Sequence, residues 1–311
     1  MGAGVEQAAA KLVQWALAFA AMLASALAVA PGGASAAVSN CSVTSTGLIF
    51  SSYNTQTKAA VDGTGTLSVT CDGSGNNSLN LSLTGGHLNS CANRQMRSGS
   101  NPLNYQIFRT AARTTNFCDG GNRLDIAFDF PSGTTRMTRS YSMFGRVLAN
   151  QNPVFATNFT DVLSVILRRS NGTSAATGTT TISGSVSPIC SVSSGTLGFG
   201  NYNGTAAVLS TAAVLVNCSN GGTYQVSLGA GANADGTTRR MAGPSSSFLG
   251  YELYRDSARS LAWGDGAAYG ARVSGTGSGS AQTLTVYGRI PAGQNVAVGS
   301  YSDSVVVTVE Y

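Results

Sequence analysis

The chain is one module written twice, and that repetition constrains its fold more than any other feature. From Cys41 it reads Cys-Ser-Val, followed by Phe50, Tyr53 and Asn54; from Cys190 it reads Cys-Ser-Val again, with Phe199, Tyr202 and Asn203 at the same offsets. Each start runs through a strand-like stretch, residues 65–71 or 213–218, to a second cysteine at Cys71 or Cys218. Further on, Leu-Asn-Tyr-Gln-Ile-Phe-Arg at 103–109 matches Leu-Gly-Tyr-Glu-Leu-Tyr-Arg at 249–255. Residues 143–147 match 286–290, and Phe159-Thr160-Asp161 matches Tyr301-Ser302-Asp303. Solenoid repeats have periods of roughly 20–50 residues; copies this long are whole domains. The boundary is expected in the Ser/Thr/Gly-rich stretch 171–178 or soon after it, before Cys190, which gives modules over 37–183 and 184–311.

Residues 1–36 read as a targeting segment. Lys11 precedes an apolar run through Trp15, Leu17 and Phe19 to Ala30, then a Pro31-Gly32-Gly33 break and the A-x-A site Ala34-Ser35-Ala36. That order describes a secretory signal peptide; an uncleaved membrane anchor is the alternative, since the apolar run approaches spanning length. In an oxidising compartment the six cysteines make three expected disulfides. The repeat sorts them. Cys41–Cys71 and Cys190–Cys218 are equivalent, leaving Cys91–Cys118 as an extra bridge in the first module. Each closes about 30 residues and contributes roughly 3–4 kcal/mol in the loop-entropy model. The unmatched bridge marks either an elaborated functional loop or a tethered insertion.

Regular segments read as strands. Residues 79–83, 224–228 and 284–287 alternate apolar and polar with period two. Asp72-Gly73, Asp235-Gly236 and Asn220-Gly221-Gly222 punctuate them, supplying the positive φ of tight turns. The 39 glycines are therefore turn chemistry, and 42% hydrophobic residues suffice for packed cores. No convincing amphipathic helix follows residue 36, so the expectation is all-β: two β-sandwiches. The net charge of +5 is modest, 16 of the 18 basic residues are Arg, and no basic run exceeds two. A nucleic-acid binder would show a clustered basic stripe.

Catalytic chemistry finds little to stand on. His87 is the single histidine and sits in a turn, Gly85-Gly86-His87-Leu88, with no G-x-S-x-G elbow anywhere in the chain. Metal sites want clustered His, Cys or carboxylates, yet the thiols are committed to bridges and Asp119, Asp125 and Asp129 lack a calcium-loop pattern. Residues 195–200 carry glycines in the wrong order for a dinucleotide loop, and 275–280 lack the Gly-Lys of a P-loop. The expectation is a non-enzyme with no cofactor and no metal.

The paired pattern Cys-Ser-Val…Phe-x-x-Tyr-Asn…Cys, then Tyr-x-[LI]-[FY]-Arg, [FY]-Gly-Arg-[VI] and [FY]-[ST]-Asp before an apolar strand, resembles the spore coat protein U domain. Secreted subunits of Csu-type, or archaic, chaperone–usher pili share that domain. Residues 287–295 and 299–303 match it closely; the first module fits more loosely, with 145–152 replacing the Pro-containing stretch. The resemblance implies immunoglobulin-like sandwiches, the C-terminal one lacking its last strand and completed by a donor strand. Val305, Val307, Val309 and Tyr311 fall on one face of the final strand. Such a face must be buried or becomes an edge hazard; laying in an extended partner segment solves this, so these four are expected to line the groove for a donor strand or chaperone.

The partners so implied are a periplasmic chaperone, an outer-membrane usher, an adjacent pilin subunit donating a strand, and an abiotic or host surface. If cleavage follows Ala36, only Ala37-Val38-Ser39-Asn40 precede Cys41, shorter than a donor strand of on the order of ten residues. The expectation is therefore a two-domain tip adhesin on a cell-surface pilus, exported through the periplasm and mediating attachment and biofilm formation. The first module would bind and the second anchor. Residues 37–183 carry a net charge of +5 and 184–311 a net charge of 0. Contact is expected on apolar loops, at Pro153, Val154 and Phe155, at Phe128 and Phe130, and within 92–117. The alternative is a secreted coat or matrix protein with no pilus.

Overall fold

The computed structural model describes residues 37–311 apart from Ala267; the expected signal peptide, 1–36, lies outside the described residues. Module 1 contains nine strands: β1 (Ser39–Ile49), β2 (Val61–Asp72), β3 (Asn76–Gly85), β4 (Arg94–Ser98), β5 (Asn101–Phe108), β6 (Leu124–Asp129), β7 (Arg136–Val147), β8 (Ala156–Arg169) and β9 (Ser174–Val186). Module 2 continues with β10 (Cys190–Ser194), β11 (Val208–Cys218), β12 (Thr223–Leu228), β13 (Arg239–Ala242), β14 (Phe248–Tyr254), β15 (Val273–Thr276), β16 (Ala281–Ile290) and β17 (Val307–Glu310). The expectation of two immunoglobulin-like β-sandwiches is met.

The strands repeat in order: β1 to β8 correspond one for one to β10 to β17. Leu81 pairs with Leu167 across β3 and β8, and Val226 with Val309 across β12 and β17. Alternation explains the cores. Leu79, Leu81 and Leu83 on β3 point inward and are buried, as are Tyr224, Val226 and Leu228 on β12. The structure closes all three bridges, Cys41–Cys71, Cys91–Cys118 and Cys190–Cys218. The first and third join neighbouring strands at the same place in each module, Cys190 facing Cys218 directly in the β10–β11 ladder.

β9 has no counterpart in module 2 among the described residues. In module 1 it lies between β8, to which it runs antiparallel, and the end of β1, to which it runs parallel through Leu48↔Ile182 and Ile49↔Ser183. It thereby joins the two sheets into one nine-stranded network, β4-β5-β7-β2-β1-β9-β8-β3-β6. Module 2 remains two separate sheets, β10-β11-β16-β14-β13 and β15-β12-β17, and no described strand bridges β10 to β17. The domain boundary differs from the expected 183/184. The stretch 171–178 holds a turn and the start of β9, which runs on to Val186. The modules meet at Ser187-Pro188-Ile189 instead. The Ser, Thr, Gly and Ala of this segment imitate linker composition, but Ile182 and Val186 are fully buried.

Candidate functional site

Where β9 would lie in module 2, the structure has an open cleft of about 1000 Å³. Its floor and walls come from β17, from the inner faces of β13 and β14, and from the segment after β10. The residues match, one by one, those that β9 covers in module 1. Leu48, Phe50, Tyr53, Met96, Phe159, Leu163 and Val165 are at most 2% exposed. Their counterparts Leu197, Phe199, Tyr202, Met241, Tyr301, Val305 and Val307 are all only partly buried. The same side-chain chemistry is dry in one module and wet in the other, and the difference is one strand.

The cleft is held open by polar clamps that both modules share. Tyr202 Oη donates to Pro291 O (2.9 Å) and accepts from Gln294 N–H (2.8 Å). Tyr53 does the same with Gln151, donating to its carbonyl (3.3 Å) and accepting from its N–H (2.9 Å). Gln294 pairs with both backbone groups of Gly250, as Gln151 does with Asn104. The family-like Tyr and Asp are also a pair: Tyr105 Oη donates to Asp161 Oδ2 and Tyr251 Oη to Asp303 Oδ2, both at 2.7 Å. Buried Arg239 donates to Leu228, Gly229 and Trp263 carbonyls; Arg94 caps Leu83 and Phe117 carbonyls. These motif residues hold the sandwich.

Burial pushes the hydroxyls of Tyr105 and Tyr251 well above the ordinary tyrosine value, and the adjacent carboxylates add to it. The folded state thus keeps two protons that the unfolded chain releases near about pH 10. Their stability contribution is complete below that pH and is lost as pH rises beyond it. Tyr105→Phe combined with Tyr251→Phe is expected to flatten the alkaline fall in a pH series of denaturant unfolding. At neutral pH each change costs about 1–3 kcal/mol, because the carboxylate of buried Asp161 or half-buried Asp303 loses a donor. An unchanged alkaline slope would refute this role.

The expected groove residues divide. Val305, Val307 and Val309 face module 2's interior as expected, the first two lining the cleft. Tyr311 does not line it. The β12–β17 ladder ends at Gln225↔Glu310, so Tyr311 lies past the paired region and is 61% exposed. The expected contact loops divide too. Phe128 and Phe130 are core residues of module 1, buried because β6 turns that face inward against β3. Pro153 is buried, whereas Val154 (42%) and Phe155 (36%) stay exposed at the edge of the junction with module 2. Phe155 N–H donates to Asn220 O at 2.8 Å. Within 92–117, Met96, Leu103, Tyr105, Ile107 and Phe117 are also core.

His87 contacts Asp161 through its N–H and through Nδ1, both at 3.0 Å. Asn233 occupies the equivalent place in module 2, donating from N–H and Nδ2 to Asp303 Oδ1. Sequence reasoning missed β9. The signal present was its alternation of Ala176, Gly178, Thr180, Ile182, Gly184 and Val186 on one face.

A family model described as the Spore Coat Protein U domain matches residues 25–166 and again 176–308. Protein U of Myxococcus xanthus is 34% identical over 140 residues, covering 39% of this chain and 77% of that protein. Among solved structures, the chain is similar to the CsuC–CsuE chaperone–tip adhesion subunit pre-assembly complex of Acinetobacter baumannii. The TM-score is 0.48 at 18% identity, over 76% of this chain and 85% of that one. It is also similar to the CupB6 tip adhesin of Pseudomonas aeruginosa, with a TM-score of 0.39 at 13% identity, over 88% and 94% of the two chains.

Proposed function

Since the chain belongs to the spore coat protein U domain family, with two successive copies of that domain, we propose that it is an exported pilus subunit whose second module accepts a donor strand. The open cleft of module 2 carries this reading, because module 1 supplies its own control: the same residues are sealed there by β9. An extended partner segment adds main-chain hydrogen bonds to an exposed edge and buries alternate side chains. Before assembly that partner is a periplasmic chaperone delivering the subunit to an outer-membrane usher. In the fibre it is the neighbouring subunit.

The chain is polar in this reading. Among the described residues β9 fills module 1's equivalent groove, so module 2 anchors and module 1 points away from the fibre, as in a tip adhesin meeting an abiotic or host surface and supporting biofilm. The net charge of +5 on residues 37–183 against 0 on the remainder supports contact of module 1 with anionic surfaces. No catalysis is assigned. The place of His87 is taken in module 2 by Asn233, which makes the same contact and cannot exchange a proton. Immunogold labelling of module 1 on producing cells tests the position: label at fibre tips is expected. Label along shafts overturns the tip role, and label on a fibre-free coat favours the matrix reading.

A further inference from the structure

The junction between the modules is a template for what module 2 carries at its far end. Past β9, module 2 seats its loop Ser219-Asn220-Gly221 on module 1. Phe155 N–H donates to Asn220 O, and Asn220 Nδ2 donates to Asn152 O (3.2 Å). The Thr55 hydroxyl donates to buried Ser219 Oγ at 2.9 Å. Gly221 comes so close that a Cβ there would lie 2.6 Å from Val154 Cγ1. Only a small residue fits this seat.

Module 2 repeats the seat. Asn152, Val154 and Phe155 correspond to Asn295, Ala297 and Val298. The contacts that shape it recur: Val154 N–H donates to Asn101 Oδ1 and Ala297 N–H to Ser247 Oγ, both at 3.2 Å. Asn54 Oδ1 accepts the N–H of Gln56 (2.8 Å) just as Asn203 Oδ1 accepts that of Thr205 (3.1 Å). Val298 is an apolar residue on a pinned loop with 102% relative exposure, and it sits at the rim of the cleft. Gly204 replaces Thr55, so the polar half of the seat is thinner and the contact rests on Val298 and main-chain bonds.

We propose that this end of module 2, centred on Val298, seats the Ser-Asn-Gly loop of a further domain of the same kind, whose preceding strand fills the cleft. The proposal rests on the reading that the cleft takes a strand, and adds that the donor's body docks at a fixed angle. Continuity with the module junction identifies the occupant.

The duplication supplies the test. Tyr311 corresponds to Arg169, so appending a second copy of residues 170–311 after Tyr311 repeats the connection between modules. The appended β9 segment is expected to slow amide exchange in β10 and β17 by roughly a hundredfold or more. The appended loop 219–222 is expected to be protected too, and X-ray scattering to report one fixed three-domain shape. Val298→Asp should abolish loop protection and broaden the shape while leaving the β10 and β17 protection intact. An extended chain in which the strands are protected but the loop is not, or is equally protected with Val298→Asp, overturns the docking seat alone. Absence of strand protection overturns the strand-accepting reading and the seat with it.

Discussion

Ile182→Asp is expected to unfold module 1 while module 2 keeps its structure. Ile182 is fully buried in β9, placed between Leu48 of β1 and Asp161 of β8. A carboxylate there is unpaired, desolvated and opposite Asp161, which is itself buried. Losing the isoleucine contacts costs about 2–5 kcal/mol, and burying an uncompensated charge adds several more. That sum is comparable to the whole stability of a domain, about 5–15 kcal/mol. Amide exchange resolved by segment is the measurement: β1, β3 and β8 lose protection together, and β11, β12 and β16 do not. Thr181→Asp, on the exposed face of the same strand, serves as control and leaves module 1 folded. A protected module 1 core in Ile182→Asp would show that β9 is not what completes it.

The same substitution at two equivalent positions is expected to give opposite phenotypes. Leu163→Asp, at a fully buried site on β8, destabilises module 1 by more than about 4 kcal/mol, the range reserved for buried charges and large cavities. Val305→Asp sits at the matching position of module 2, where water already reaches the side chain. Its cost to the chain alone is about 1 kcal/mol, since little apolar area is lost. Its effect falls on binding. A peptide with the sequence of residues 174–186, titrated into the chain from residue 37 onward, is expected to lose about a hundredfold in affinity, equivalent to about 3 kcal/mol. Denaturant unfolding and the titration read the two halves separately. Equal peptide binding by the parent and Val305→Asp would remove the cleft as the strand's seat.

Much of the fold was legible before any coordinates. The cysteine offsets paired the bridges, the Asp-Gly and Asn-Gly turns delimited hairpins, and period-two alternation marked β3, β12 and β16. The alternating valines 305, 307 and 309 announced a strand with one face to bury. Function-bearing loops were less legible. Phe128 and Phe130 look like exposed aromatics beside a proline, yet β6 pairs with β3 and turns them into the core. Val154 and Phe155 form an exposed apolar loop, but its backbone is tied to module 2 through Asn220. Tyr311 keeps the right parity but lies beyond the last paired residue of β12. In each case a distant segment decides whether an apolar residue is core, junction or surface.

The sequence by itself determined that two copies of one disulfide-closed β-module follow each other, and that the second copy's last strand has an apolar face. Only the tertiary structure decided which module is finished. A completing strand pairs on one side with β8, its antiparallel hairpin neighbour, and on the other with β1, which is far from it in sequence and parallel to it, so no local pattern announces that second pairing. It must also slide between packed sheets, which selects small inward residues: a Cβ on Gly178 would lie 2.8 Å from the Val43 carbonyl oxygen, and Gly184 faces Met96 and Phe50. The residues that let β9 seal module 1 are the ones that make it read as a linker. The absence of an equivalent described strand is what leaves module 2 open.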